Sequence, residues 1–275
     1  MRAGGVISRA KHSPALIAGT VITSVLVAMF LLAPVIARYS PDQQNLLATF
    51  QGPSAAHWLG TDDLGRDVWS RLLYAGRTDI EVGVGAVIIP FLLGSLLGTV
   101  SGYFGGWVDA VVMRVVDIVL AFPFYVLIIA LVFVVGEGTR GIFIAFAITD
   151  WVVYARIVRA ATLVAREQDW VAAAYGGGLK HSRVLFRHIL PNTITQAIVY
   201  VMSDIVLVIL AVVTLGYLGL GIQPPSPDWG SMIDSGQSFI TTHPWLSTVP
   251  GITVVVTGLG LSLVGDGLAD VLRPQ

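Results

Sequence analysis

The stretch VGVGAVIIPFLLGSLLGTVSGYFGGW, residues 82–107, contains no Asp, Glu, Lys or Arg. A helix needs about 20 apolar residues to cross the hydrocarbon of a bilayer, so this stretch reads as a membrane span. Gly94, Gly98, Gly102 and Gly106 recur in it at every fourth position, which leaves one helix face bare enough for another backbone to come close. Two more stretches, 13–37 and 244–265, are equally free of charge.

Working outward, the pattern predicts six spans near 15–37, 80–103, 110–135, 141–163, 194–220 and 247–266. The composition agrees: 55% of the 275 residues are hydrophobic and 12% charged, against about 25% charged in a soluble domain. Arg2, Arg9 and Lys11 precede the first span as they would a signal peptide, but the apolar run is too long and no small-x-small cleavage site follows closely. With the first residues inside, eleven of the sixteen Lys and Arg fall on inside segments, from Arg2 to Arg273. The positive-inside rule therefore places both termini in the cytoplasm. The organisation expected is a tail at 1–12, a first helix at 13–37, an external loop at 38–78, a five-helix core at 79–268 and a tail at 269–275.

Three loops carry the polar residues. In 38–78, the stretch 67–74 alternates charge with Val68, Trp69, Leu72 and Leu73 at helical spacing, which predicts an interfacial amphipathic helix. Pro224, Pro225 and Pro227 cluster in an external loop at 221–246, since proline removes donors and fixes φ. The cytoplasmic stretch 166–192 has three alanines at 172–174, three glycines at 176–178, and then Leu179, Val184, Leu185 and Ile189 as an apolar side. That composition predicts helix, turn, helix, stopping at Pro191, with Lys180, Arg183, Arg187 and His188 outside.

Asp117, Asp150 and Asp204 interrupt apolar runs, and an ionisable group within a span is costly and defaults to function. Asp204 lies farthest from other charge, and Asp150 and Asp204 are the candidate translocation-path residues. A proton-coupled secondary transporter would use them. An intramembrane aspartyl protease would pair Asp266 with Asp204 or Asp150 to share a proton, but its Gly-x-Gly-Asp motif fails at Leu263.

Several classes are excluded. No cysteine is present, which removes disulfides, thiolate metal sites and cysteine nucleophiles. The five histidines are scattered over different loops, without the spacing of a metal site. Lys11 and Lys180 lack the context of a phosphate-binding loop, so ATP hydrolysis does not belong to this chain. Gly216, Gly219 and Gly221 lack the strand and spacing of a dinucleotide loop. Charges are too scarce and too segregated for nucleic-acid binding.

The loop at 166–192 resembles the cytoplasmic signature of ABC importer membrane subunits of the dipeptide and oligopeptide permease family: Glu-Ala-Ala, three residues, Gly, then Leu-Pro about a dozen later. Ala173, Ala174, Gly178, Leu190 and Pro191 match, while the glutamate is Ala172 and the usual basic residue is Tyr175. The resemblance extends to HWLGTDDLGRD at 57–67, RLLY at 71–74, FRHILPN at 186–192, Trp229-Gly230, and Gly265-Asp266 with Asp270, Arg273 and Pro274.

It implies an all-α fold of the type I importer kind, in a bacterial cytoplasmic membrane, with a periplasmic-side amphipathic segment and a cytoplasmic coupling helix-turn-helix. Asp169, Trp170, Ala172, Ala173 and Ala174, with Gly178, Arg183, Arg187, Leu190 and Pro191, would dock a cytoplasmic ATPase. Asp62, Arg66, Asp67, Trp229 and Gly230 would receive an extracytoplasmic peptide-binding protein. The implied partners are a second homologous permease, two ATPase subunits carrying ATP and Mg, and that binding protein. The chain itself would hold no cofactor, and the substrates of such permeases are dipeptides, longer peptides, glutathione or nickel complexes.

Overall fold

The computed structural model describes residues 13–272. Arg2, Arg9, Lys11, Arg273 and Pro274, and with them most of both expected tails, lie outside the described residues. Within them the regular structure is helical, apart from one isolated antiparallel bridge between Thr61 and Asp67, and 37–67 and 218–228 are mostly irregular.

Five helical stretches are long and apolar enough to cross a membrane, and there are six if one bent pair is counted as a single broken span. The first, α1 (Pro14–Leu31), starts where Pro14 fixes φ and the Ser13 hydroxyl accepts from Leu16 N at 3.3 Å. A short α2 (Ala33–Ile36) follows, and then α3 (Val68–Phe104), 37 residues without a break. Next come α4 (Gly106–Leu120) and α5 (Phe124–Val135), and these two are bent by 91°. α6 (Thr139–Thr149) and α7 (Trp151–Arg166) together make one span, joined at Asp150. The stretch 166–192 forms α8 (Asp169–Gly176) and α9 (His181–Val184), α10 runs Leu190–Tyr217, α11 Trp229–Gln237 and α12 Trp245–Leu272.

Two expectations change. The stretch 67–74 is no separate interfacial helix: Asp67 caps α3, accepting from Ser70 N at 2.8 Å, and the stretch forms the first turns of α3. Val68, Leu72 and Leu73 are buried in the core, so its apolar side is covered by protein. Pro191 also fails to stop a helix. Leu185–Ile189 is a π-helical turn in which Leu190 N donates to Leu185 O. That i→i+5 register ends just before Pro191, which enters α10 in its first turn, where its missing N–H costs least.

The bundle is organised on α3. Gly94, Gly98 and Gly102 seat it against the backbone of α7: a Cβ at Gly98 would lie 3.0 Å from Ala155 Cα, and one at Gly102 2.9 Å from Arg159 O. Gly106, the fourth glycine of the stripe, meets nothing within 4 Å and lies at φ 55°, where α4 begins. At the periphery α1 packs on α12, with Gly19 against Val264 N and Gly267 against Leu16. Leu16 beside Gly267, and Phe30 beside Gly76, put the described start and end of the chain at the same end of the bundle as 166–192. At the opposite end, 38–67 folds over α11, with Phe50 stacked on His243 and Arg38 over the Trp58 ring at 4.4 Å.

Candidate functional site

The stretch 166–192, expected to dock an ATPase, is small and well anchored. Val171, Val184 and Ile189 are buried together, and Tyr103, Ala165, Ala174, Tyr175 and Leu179 pack on them. α8 is thereby fastened to the ends of α3, α7 and α10. Asp169 sits in the first turn of α8, where the helix dipole favours a carboxylate. The turn closes at Gly178, whose φ of 79° suits only glycine without strain. Gly178 N donates to Tyr175 O at 2.8 Å and Leu179 N to Ala174 O at 3.2 Å.

What faces outward is distinctive. Trp170, Ala172, Ala173, Arg183, Phe186 and Arg187 are exposed, whereas Ala174 and Leu190 are half-buried and shape the element from within. Phe186 was legible in the sequence only as part of the motif. Tyr175, in place of a basic residue, turns inward, and burial pushes its phenol up, so it stays a hydroxyl donor at neutral pH.

At the opposite end the expected docking residues prove to be scaffolding. Trp229 is 0% exposed; its amide donates to Asp79 Oδ2 at 2.9 Å and its indole to Leu72 O at 3.3 Å. A Cβ at Gly230 would lie 2.7 Å from Tyr217 N. Asp62 holds its own turn, accepting from Leu64 N, Arg66 N and Arg66 Nε, and Asp67 is the α3 cap and the partner of His57 Nδ1 at 2.8 Å. Trp229, Gly230, Asp62 and Asp67 are thus buried and held within the fold, and Asp62 lines a small cavity beside Arg66. Asp228, which caps α11 through Ser231 N, is pushed up by burial, against the pull of Ser231. Arg66 does reach a polar cavity of about 350 Å³, lined also by Asp42, Gln44, Ser226, Ser231 and Ser235.

Asp150, at the joint between α6 and α7, and Asp204, on α10, are both buried and approach each other inside the bundle. Tyr154 OH donates to Asp204 Oδ2 at 2.6 Å, and Tyr200 and Phe91 close edge-on around the Tyr154 ring. Asp150 Oδ2 is buried without a protein partner. Asp204 is 1% exposed, so the pair is enclosed by this chain and lines no open path here. Asp117 instead faces Arg156 at 3.3 Å on the surface. Asp266 is exposed, so the aspartates that meet are not those of the protease pairing.

Replacing Asp204 separates two roles. Asp204→Asn keeps an acceptor for Tyr154 and is expected to melt near the wild type in detergent. Asp204→Leu orphans a buried hydroxyl, at a cost of about 1–3 kcal/mol, and is expected to melt lower by tryptophan fluorescence.

Comparison with known proteins agrees with this architecture. Residues 91–275 match the family model of the binding-protein-dependent transport system inner membrane component, and residues 4–53 that of the N-terminal TM domain of oligopeptide transport permease C. The chain is 39% identical over 266 residues to the dipeptide transport system permease protein DppC of Alkalihalophilus pseudofirmus, covering 96% of this chain and 87% of that one. It is 38% identical over 257 residues to the oligopeptide transport system permease protein OppC of Bacillus subtilis, covering 94% and 84%. With the glutathione transport system permease protein GsiD of Pectobacterium atrosepticum it shares 38% over 225 residues, 82% and 75% of the two chains. The chain thus belongs to the binding-protein-dependent transport system inner membrane component family, as a non-catalytic, membrane-spanning permease subunit of an ABC importer whose ATPase is a separate subunit.

Proposed function

We propose that this permease carries short peptides inward as one of two homologous chains, with 166–192 in the cytoplasm, docked on an ATPase that holds ATP and Mg. The observation that carries the reading is the outward face of 169–187, with Trp170, Ala172, Ala173, Phe186, Arg183 and Arg187 exposed and the two arginines without an ion-pair partner among the described residues. Both described chain ends lie at that same end of the bundle, which suits cytoplasmic termini. The opposite surface, shaped by 38–67 and α11, would receive an extracytoplasmic peptide-binding protein around Arg66.

Short peptides are the substrate class because dipeptide, oligopeptide and glutathione permeases all align along most of their length. ATP must stabilise one arrangement of the bundle over another for transport to be driven, and α8 is the element able to pass on that difference. In this scheme the chain makes and breaks no covalent bond.

The test is reconstitution with the partner permease, the ATPases and the binding protein in proteoliposomes. Uptake of a labelled dipeptide is expected to require ATP and to persist when the proton gradient is collapsed. Uptake by the purified chain alone, driven by a proton gradient, would overturn the reading.

A further inference from the structure

Apolar contacts hold α8 in place but fix its rotation poorly, because burial has no direction. Direction comes from one polar group. His181, the first residue of α9, points Nδ1 at two phenols: Tyr103 OH, at the end of α3, lies 2.9 Å away, and Tyr175 OH, on α8, 3.3 Å away. Both rings also pack against the imidazole, with centroids 5.9 and 5.2 Å from it. Next to them Arg166 Nη1 donates to Gly102 O at 3.1 Å.

We propose that His181 is a positioning residue, a clamp that locks the orientation of the coupling helix α8 to α3 by gathering the Tyr103 and Tyr175 hydroxyls at one ring nitrogen, whose single lone pair accepts from the nearer, Tyr103. The proposal rests on the permease reading above. The clamp also gives a use to Tyr175, an aromatic hydroxyl among the alanines and glycines of 172–178. An imidazole that accepts at Nδ1 carries its proton on Nε2.

What makes the clamp more than a local tie is the helix it holds. α3 is one continuous helix of 37 residues with Pro90 in its interior, where one ladder hydrogen bond is missing, and it is about 55 Å long at the α-helical rise. Its first turns hold the far surface: Leu72 O and Asp79 Oδ2 fix the indole and amide of Trp229 at the start of α11. A turn of α8 against α3 is thereby applied to a rod that ends at the opposite face. Coupling of this kind requires a stiff element biased by both sites.

The test uses the complete reconstituted importer, reading substrate-stimulated against basal ATP hydrolysis. His181→Ala is expected to lower the stimulation about three- to tenfold while co-purification with the ATPases and basal hydrolysis stay at wild-type levels. His181→Asn presents a carbonyl oxygen in place of Nδ1 and is expected to restore most of the loss. Tyr103→Phe removes one hydroxyl and keeps the ring packing, so it tests the clamp even where His181→Ala folds poorly. In the Tyr103→Phe, Tyr175→Phe background, His181→Ala is expected to add little. Full stimulation in both His181→Ala and Tyr103→Phe overturns the clamp, as does equal loss of basal and stimulated hydrolysis in both. A wild-type importer without ATP-driven uptake overturns the permease reading, and the clamp with it.

Discussion

Gly98→Leu is expected to leave no monodisperse protein after detergent extraction. A Cβ at this position would sit 3.0 Å from Ala155 Cα and 3.1 Å from Ala155 C, and closer still to the Ala155 carbonyl oxygen. These are backbone atoms, which cannot swing aside as a side chain would. α3 and α7 would have to part along their length, releasing the seats of Gly94 and Gly102 as well. Overpacking a core costs typically about 1–3 kcal/mol, occasionally more, and a clash of backbone with backbone falls at the high end. Gly251→Ala is the control, because nothing lies within 4 Å of that position in α12 and alanine favours the helix by about 1 kcal/mol. Fluorescence-detected size exclusion separates the two outcomes; a sharp peak for Gly98→Leu at wild-type yield would mean that the helices do not meet through that glycine.

The spans and the α8 turn were legible because each depends on a local pattern. A charge-free run of sufficient length needs no partner to declare itself, and three glycines after three alanines mark a helix end whatever surrounds them. Direction was less legible. The run 110–135 is apolar almost throughout, so hydropathy measures its length and says nothing of the 91° bend between Leu120 and Phe124. The polar start of α3 misled for the opposite reason: the charges of 67–74 read as the water-facing side of an interfacial helix, yet Arg71 is buried and its Nη1 donates to Pro41 O. A buried polar group with a partner looks, in a sequence, like an exposed one without.

The same limit explains the sites. Trp229 and Gly230 stood out as a motif, but a motif has no inside or outside, and the structure turns both inward. Asp150 and Asp204 were each conspicuous as a cost within the membrane, while their meeting, and the Tyr154 hydroxyl aimed at Asp204, depends on how α7 packs against α10. Tyr103 and His181 are 78 residues apart, and neither belongs to any pattern that could have drawn notice to it.

Gly178→Val is expected to uncouple the importer without unfolding it. The residue lies at φ 79°, and nothing is within 4 Å of an added Cβ, so a side chain clashes with no neighbour and acts only on the backbone. A β-branched residue held at positive φ is strained by about 1–3 kcal/mol, and the turn relieves that strain by rotating out of the left-handed region. Gly178 N then loses Tyr175 O, Leu179 N loses Ala174 O, and α8 swings on its apolar anchor. With each 1.4 kcal/mol worth about tenfold in population, substrate-stimulated ATP hydrolysis and peptide uptake are expected to fall tenfold or more. Gly178→Asn, which tolerates the left-handed region better, should retain more of both. Ala173→Glu reaches the same end by another route, placing a charge on the exposed side of α8, where docking would have to desolvate it. Membrane insertion and melting temperature of the purified subunit should match the wild type in all three variants, because the spans pack elsewhere. Coupled hydrolysis at the wild-type rate in both Gly178→Val and Ala173→Glu would remove α8 from the coupling path.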